Sequence, residues 1–532
     1  EYRRQRQMCI RDRASKLQQS QSKQQVGGIL GFIERIGNKI PDITILFISA
    51  FLLVCVVSAV LAQIHFNYVH PATGRPIEIT NMLSGKALVD LMSKMVTNYA
   101  NFPPLSMVIV ATLGIGIADG SGYINTGLKK ILSITPKVLI TPVVILVGML
   151  SHLGPDSGYV IIIPIAAYMF YAVGKHPLAG IAASFAGIAG AFAANYTPSA
   201  IDPVIQGFTQ SAAQIIDPGY QVNVLCNYFY AFASTFIVIG ACWWVTEKIT
   251  NPWLWKACPL DDDLDLGNEN NSSITPSENR AFKIATAVLL LMLTGLAAAL
   301  YPADSILRAP DGVIASFKAP IMQSIVSLIF IFAALVGLVY GIACGKFKSP
   351  KDVTAAMEEI TKTLVQLIVF YFFAAQFLYA FGASNMGALI AVSGAEFLKS
   401  LNLPPQVTVF GIIVFVALLN LIITSASAKW AILAPIFVPM LMAVGIAPEL
   451  TQVAFRVSDS AVNVVTPMFA FYPLIILYCQ KYVKNAGIGT LSSMMLPYTI
   501  ALLVSLTFML YLFWWLDIPL GFQADYVYPR RF

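Results

Sequence analysis

Five ionisable residues stand inside or beside long apolar stretches of this chain: Asp156, Asp202, Lys429, Arg456 and Asp459. A charge at the centre of a membrane helix costs roughly 2.5–3.5 kcal/mol on insertion scales, so each one retained there points to a task. Arg456 and Asp459 are three apart, hence on one helical face, where they either form a structural ion pair or serve a ligand. Asp459 and Asn463 share that face and offer oxygens to a hard cation such as Na⁺. Asn420 and Thr424, spaced as one helical turn, suit the same cation-binding or coupling role, as do Asp156 and Asn195 beside an earlier chain break; a buried Asn serves equally well as a helix-to-helix hydrogen bond. Ser425 and Ser427 stand where a short helix should begin, and their hydroxyls with the free N–H groups there suit a carboxylate. Trp430 adds a flat face for stacking on a ring, the alternative being an interfacial tryptophan.

The elements that must position these groups are membrane helices. Of the 532 residues, 57% are hydrophobic and 11% charged, where a soluble domain carries roughly 25% charge. Apolar stretches long enough to cross about 30 Å of hydrocarbon recur along the chain, which makes it an all-α polytopic membrane protein. The net charge of +6 resides in short loops and the N-terminus, so it speaks for membrane orientation and not for nucleic acid. If the spans alternate, the basic tail, Lys129/Lys130/Lys137, Lys248/Lys256 and Lys346/Lys348/Lys351 fall on one side, the cytoplasmic one. Seven cysteines without CxxC spacing read as small buried hydrophobes, and four histidines form no zinc pair. Neither HExxH, GxSxG nor GxxxxGK[ST] occurs, so the expectation is a transporter and not an enzyme or an ATP-driven pump, with no cofactor beyond a coupling Na⁺ or H⁺.

The organisation expected is a disordered basic tail over 1–27, a first transmembrane repeat over 28–245 with a hairpin near 152–176, a polar cytoplasmic linker over 246–280, a second repeat over 281–519 with a hairpin near 424–446, and a tail over 520–532. The repeat rests on shared punctuation. A polar tip, HLGPDSGYV (152–160), leads to Pro164, to Pro177 thirteen residues on, and to NYTPSAIDP (195–203). A second tip, TSASAKW (424–430), leads to Pro435, to Pro448 thirteen residues on, and to NVVTP (463–467). Pro and Gly also kink ordinary membrane helices. Two such regions with matching spacing, however, predict paired re-entrant hairpins followed by unwound helices, the arrangement that holds substrate and ion in transporters with inverted repeats.

The residues GKHPLAGIAASFAG (174–187), IDPVIQGFTQSAAQIIDP (201–218), VTEKI (245–249), FFAAQF (372–377), SASAKWAILAPIFVPMLM (425–442) and GIGTLSSMMLPY (487–498) together resemble the AbgT family of p-aminobenzoyl-glutamate transporters from about Gly31 to Pro519. The resemblance implies a homodimer in the bacterial inner membrane, with nine membrane helices and two opposed hairpins per protomer, surrounded by lipid. It implies transport of p-aminobenzoyl-glutamate, and in some members export of sulfonamide antimetabolites. The positions that match the family's functional residues are Asp202, Asn420, Ser427, Trp430, Pro448, Arg456, Asp459 and Pro467. Of these, Asp202, Trp430, Pro448, Arg456 and Pro467 join Ser425 and Ser427 as the substrate-binding set. Lys429 departs from the neutral amide that some relatives carry at its place.

Overall fold

The computed structural model describes residues 42–69, 74–151, 157–199, 201–261, 274–314, 316 and 318–529. Asp156, the tip of the first hairpin and the tail over 1–27 lie outside the described residues. Among those described the chain is helical, without a strand beyond two isolated bridges. Seven helices are long and apolar enough to cross a membrane: Ile43–Leu61, Gly85–Ser121, Tyr228–Ala257, Pro276–Leu300, Ile325–Ala343, Pro350–Ala383 and Ile488–Trp515. An eighth crossing arises if Met386–Ser400 and Pro405–Asn420, bent 117° at their junction, count as one. Of the shorter apolar helices, Gly158–Ala172, Pro177–Gly190 and Ala426–Met442 fall in the two broken regions, and Lys137–Leu150 precedes the first.

Lipid is the solvent for the outer faces. On Ile43–Leu61 the residues Phe47, Val54 and Ser58 are buried while Leu52, Val56 and Val60 are exposed. Both stripes recur at helical spacing, and both are uncharged, which only a hydrocarbon surround makes favourable. Inner contacts use small residues. A Cβ on Gly337 would stand 2.5 Å from the Ala118 nitrogen, and one on Gly114 would stand 2.5 Å from Phe330 Cα, so helices Pro103–Ser121 and Ile325–Ala343 touch backbone to backbone. The polar stretch expected from residue 246 begins later, because the helix that opens at Tyr228 continues to Ala257. The next helix opens at Pro276 on a capping box formed by Thr275 and Glu278.

The two broken regions share their backbone geometry. Ser157–Ala172 contains Pro164 in its interior, and Pro177 occupies the first turn of Pro177–Phe185. Ala426–Met442 contains Pro435, and Pro448 occupies the first turn of Pro448–Val462. The intervening turns hydrogen-bond alike, residue for residue. Val173, Gly174 and Lys175 donate to Phe170, Tyr171 and Phe170 carbonyls at 3.2, 3.0 and 2.9 Å; Val444, Gly445 and Ile446 donate to Leu441, Met442 and Leu441 at 3.1, 2.9 and 2.9 Å. Gly174 and Gly445 carry φ of +78° and +87°, a left-handed conformation that glycine adopts without a Cβ penalty. Each second helix then unwinds. In the first repeat Ala186–Gly190 widens into a π-turn before the chain breaks, and helix restarts at Ile201; in the second the break follows Val462 and helix restarts at Tyr472.

Candidate functional site

The site is organised by Pro448–Val462, a helix every residue of which is buried. Its charged and amide side chains form one stripe, Glu449, Gln452, Arg456 and Asp459, continued past the helix end by Asn463, at alternating steps of three and four. A charged stripe on a fully buried helix must be satisfied by other helices, and each member is answered from a different part of the fold.

Arg456 and Asp459 do not pair with each other, although their spacing allows it. Arg456 Nη1 lies 2.7 Å from Asp202 Oδ1, with side-chain exposures of 4% and 11%. Asp202 belongs to the first repeat, in the opening turn of Ile201–Ala213, where its Oδ2 also accepts from Ser199 N at 2.7 Å and Ser199 Oγ at 3.0 Å. A carboxylate at a helix start is favoured by the free N–H groups there, which holds Asp202 in place for the arginine. Arg456 Nε and Nη2 are buried without a hydrogen-bond partner. The guanidinium borders a compartment with Asn195, Thr197, Asp202, Asn227 and Tyr228 whose free volume is about 10 Å³. That is room for about one water, so the compartment at the guanidinium does not admit an aromatic ring as it stands.

Asp459 pairs instead with Lys429, Nζ to Oδ1 at 2.6 Å, each side chain 1% exposed. Lys429 also donates to Asn420 Oδ1. Asn420, buried at the end of Pro405–Asn420, donates through Nδ2 to the Asp459 carbonyl at 2.6 Å and to Asn463 Oδ1 at 3.2 Å; Asn463 Nδ2 reaches Asp459 Oδ2 at 3.4 Å. The oxygen-bearing set read from the sequence is thus assembled in its core, with an ammonium among the oxygens. Thr424 does not follow Asn420 on a helix, because the helix ends at Asn420 and Thr424 stands in the turn before Ala426. Asn195 is buried in the first break, where it lines the compartment at Arg456.

Ser425 caps Ala426–Met442, its Oγ accepting from Ala428 N at 3.4 Å, so a half-helix does begin at the second tip; Ser427 is buried in its first turn. Trp430 has no exposed surface. Its indole stacks on Phe455 with ring centroids 4.5 Å apart, and its Nε1 donates to Thr209 Oγ1 at 2.9 Å. The ring is therefore an internal bridge between repeats in this conformation, not an open face. Pro448 starts the stripe-bearing helix and Pro467 is half-buried in the second break. Trp515 is exposed at a helix end, as interfacial tryptophans are, and Trp244 is exposed just before the π-turn Thr246–Thr250.

Sequence reasoning missed the polar chain beyond Trp430. Thr209 Oγ1 donates to Gln452 Oε1 at 2.6 Å, Gln452 Nε2 donates to Asn227 Oδ1 at 2.6 Å, Asn227 Nδ2 donates to the Glu449 carbonyl at 3.1 Å, and Tyr220 OH donates to Glu449 Oε2 at 2.9 Å. The signal was available in the alternating three-and-four spacing from Glu449 to Asn463.

The family model of the AbgT putative transporter family matches residues 28–528. The chain is 32% identical over 511 residues to the p-aminobenzoyl-glutamate transport protein of Escherichia coli, covering 96% of this chain and 98% of that one. It resembles the solved YdaH transporter of Alcanivorax borkumensis, described as having an unusual topology, at 37% identity and TM-score 0.85 over 90% of this chain and 100% of that one. It resembles Neisseria gonorrhoeae MtrF, described as illuminating a class of antimetabolite efflux pumps, at 39% identity and TM-score 0.87 over 94% of this chain and 100% of that one.

Proposed function

Because the chain belongs to the AbgT putative transporter family, we propose that it moves p-aminobenzoyl-glutamate across the bacterial inner membrane as a homodimer, N-terminus in the cytoplasm, driven by a cation gradient. The observation that carries the reading is the Arg456 guanidinium, buried and anchored by Asp202 through one nitrogen while two donor nitrogens stay unmatched. A buried donor left unpaired costs about 1–3 kcal/mol, more when it is charged. A carboxylate entering the compartment relieves that cost, and the parallel N–H pair of a guanidinium fits a carboxylate bidentately. Ser425 and Ser427, at the start of the second half-helix, are the candidates for the other carboxylate. Admission of the aminobenzoyl ring requires the compartment to widen, and the first unwound break, which lines it through Asn195 and Thr197, is where the backbone can yield.

Energetics constrain the coupling. Each elementary charge moved across 100 mV is worth about 2.3 kcal/mol, so a dianion imported against an inside-negative potential needs at least two accompanying cations for neutrality. A second reading, proton-driven efflux of sulfonamide-type antimetabolites, is favoured by the similarity to the gonococcal protein. The test is uptake and efflux of radiolabelled p-aminobenzoyl-glutamate in proteoliposomes under separately imposed Na⁺ and H⁺ gradients. Movement under one gradient supports the reading; no movement under either removes the substrate. Efflux of a labelled sulfonamide alone selects the second reading.

A further inference from the structure

Lys429 directs its ammonium at the oxygens that a bound Na⁺ would require. Its Nζ lies 2.6 Å from Asp459 Oδ1, donates to Asn420 Oδ1, and stands 5.8 Å from the centroid of the Phe455 ring. The ammonium thus hydrogen-bonds one oxygen, pairs by charge with a second, and faces an aromatic ring. Asn463 completes the set through its contacts with Asn420 and Asp459. A carboxylate with 1% of its side chain exposed needs a compensating charge. The other charged groups on the same helix are engaged elsewhere: Arg456 with Asp202, and Glu449 with the Tyr220 hydroxyl. No unbalanced negative charge is left at the cluster to attract a free ion.

The first repeat shows that the hairpin fold does not need this charge pair. In the register that matches Gly174 with Gly445, Lys429 corresponds to Gly158 and Asp459 to Ile188. A Cβ on Gly158 would meet the Ser151 side chain at its Oγ, and Ile188 Cδ1 at 3.5 Å. The same packing position joins two uncharged residues in one repeat and an ion pair in the other.

We infer that Lys429 is a tethered substitute for a dissociable alkali cation: its ammonium fills the locus formed by Asn420, Asp459 and Asn463, closes it to Na⁺, and masks a Na⁺ site that opens when the ammonium is removed. Sodium binding is independent of which solute is carried; only the consequence, that Na⁺ does not couple through this locus, rests on the transport reading above.

The test is equilibrium binding of radiosodium to the purified full-length chain in detergent, with choline as the exchange control, and it needs no substrate. The wild type is expected to show no saturable binding. Lys429→Met and Lys429→Gln, the second keeping a polar group that can hold Asn420, are each expected to gain a saturable Na⁺ site that is lost again when Asp459→Asn is added. Saturable wild-type binding that Asp459→Asn abolishes would overturn the inference. So would well-folded Lys429 variants, judged by monodisperse elution, that bind no more Na⁺ than the wild type. If neither variant folds, the wild-type arm still decides, because binding there that depends on Asp459 contradicts an occupied locus and its absence agrees with one. A failure of the solute assignment appears separately, as absent p-aminobenzoyl-glutamate flux with the radiosodium results unchanged.

Discussion

Arg456→Lys separates the charge of the guanidinium from its geometry. A lysine at this position can still pair with Asp202, which the native arginine holds through Nη1 at 2.7 Å, so the buried carboxylate keeps its counter-charge. What disappears is the side-on pair of donors, Nε and Nη2, that have no partner in the closed conformation. A hydrogen bond to a charged group is worth about 1.5–3 kcal/mol, and an ammonium committed to Asp202 supplies at most one of the two bonds a carboxylate would take from the fork. The expected loss is therefore one such bond, roughly 10- to 150-fold in apparent affinity, with thermal stability close to that of the wild type. The assay is concentration-dependent uptake of p-aminobenzoyl-glutamate into proteoliposomes, run beside its diamide, in which both carboxylates are neutral. The variant should lose discrimination between acid and diamide. Equal weakening toward both compounds, or no weakening toward either, refutes the assignment of Arg456 to a carboxylate.

Asp202→Asn removes the counter-charge and keeps an oxygen for Ser199; because it leaves Arg456 buried and unpaired, it should cost about 3–5 kcal/mol by equilibrium unfolding in detergent, and Asp202→Leu combined with Arg456→Met should recover a large part of that loss. Thr209→Val strands the Trp430 N–H and one acceptor of Gln452, for an expected 1–3 kcal/mol or so, with quenching of tryptophan fluorescence as a local readout. Gly174→Val and Gly445→Val force a β-branched residue into left-handed turns, and each should destabilise the chain by about 1–3 kcal/mol; similar thermal shifts in the two variants would bear out the equivalence of the turns. Gly337→Leu places a side chain where the Ala118 backbone lies 2.5 Å from a Cβ, and lower yield of monodisperse protein is the expected result.

The broken regions were legible because prolines and glycines impose their conformations locally: Pro164 and Pro435 within a helix, Pro177 and Pro448 at a helix start, and the turn between them need no distant partner to be read. Partner choice was not legible. The spacing of Arg456 and Asp459 favours a local pair, yet both charges are answered across the fold, by Asp202 and Lys429, because a fully buried helix presents its polar stripe to its neighbours and not to itself. The same limit hid Trp430, whose ring reads as an open stacking surface until Phe455 and Thr209 are seen to cover it. Glu449 went unnoticed because an acidic residue after a helix-starting proline looks like ordinary first-turn chemistry. Thr424 was misplaced for a smaller reason: four residues make a helical turn only where the helix continues, and this one stops at Asn420.

The ion pair between Asp202 and Arg456 also sets an order of events at biogenesis. Pro448–Val462 carries Glu449, Arg456 and Asp459, and at roughly 2.5–3.5 kcal/mol for each arginine or aspartate such a segment does not enter bilayer on its own. Three of its partners, Asp202, Thr209 and Asn227, belong to the half that leaves the ribosome first. The earlier half thus serves as the interior into which the later one is threaded, and a terminal fragment beginning after residue 273 should fail to integrate that helix unless the earlier half is supplied alongside it.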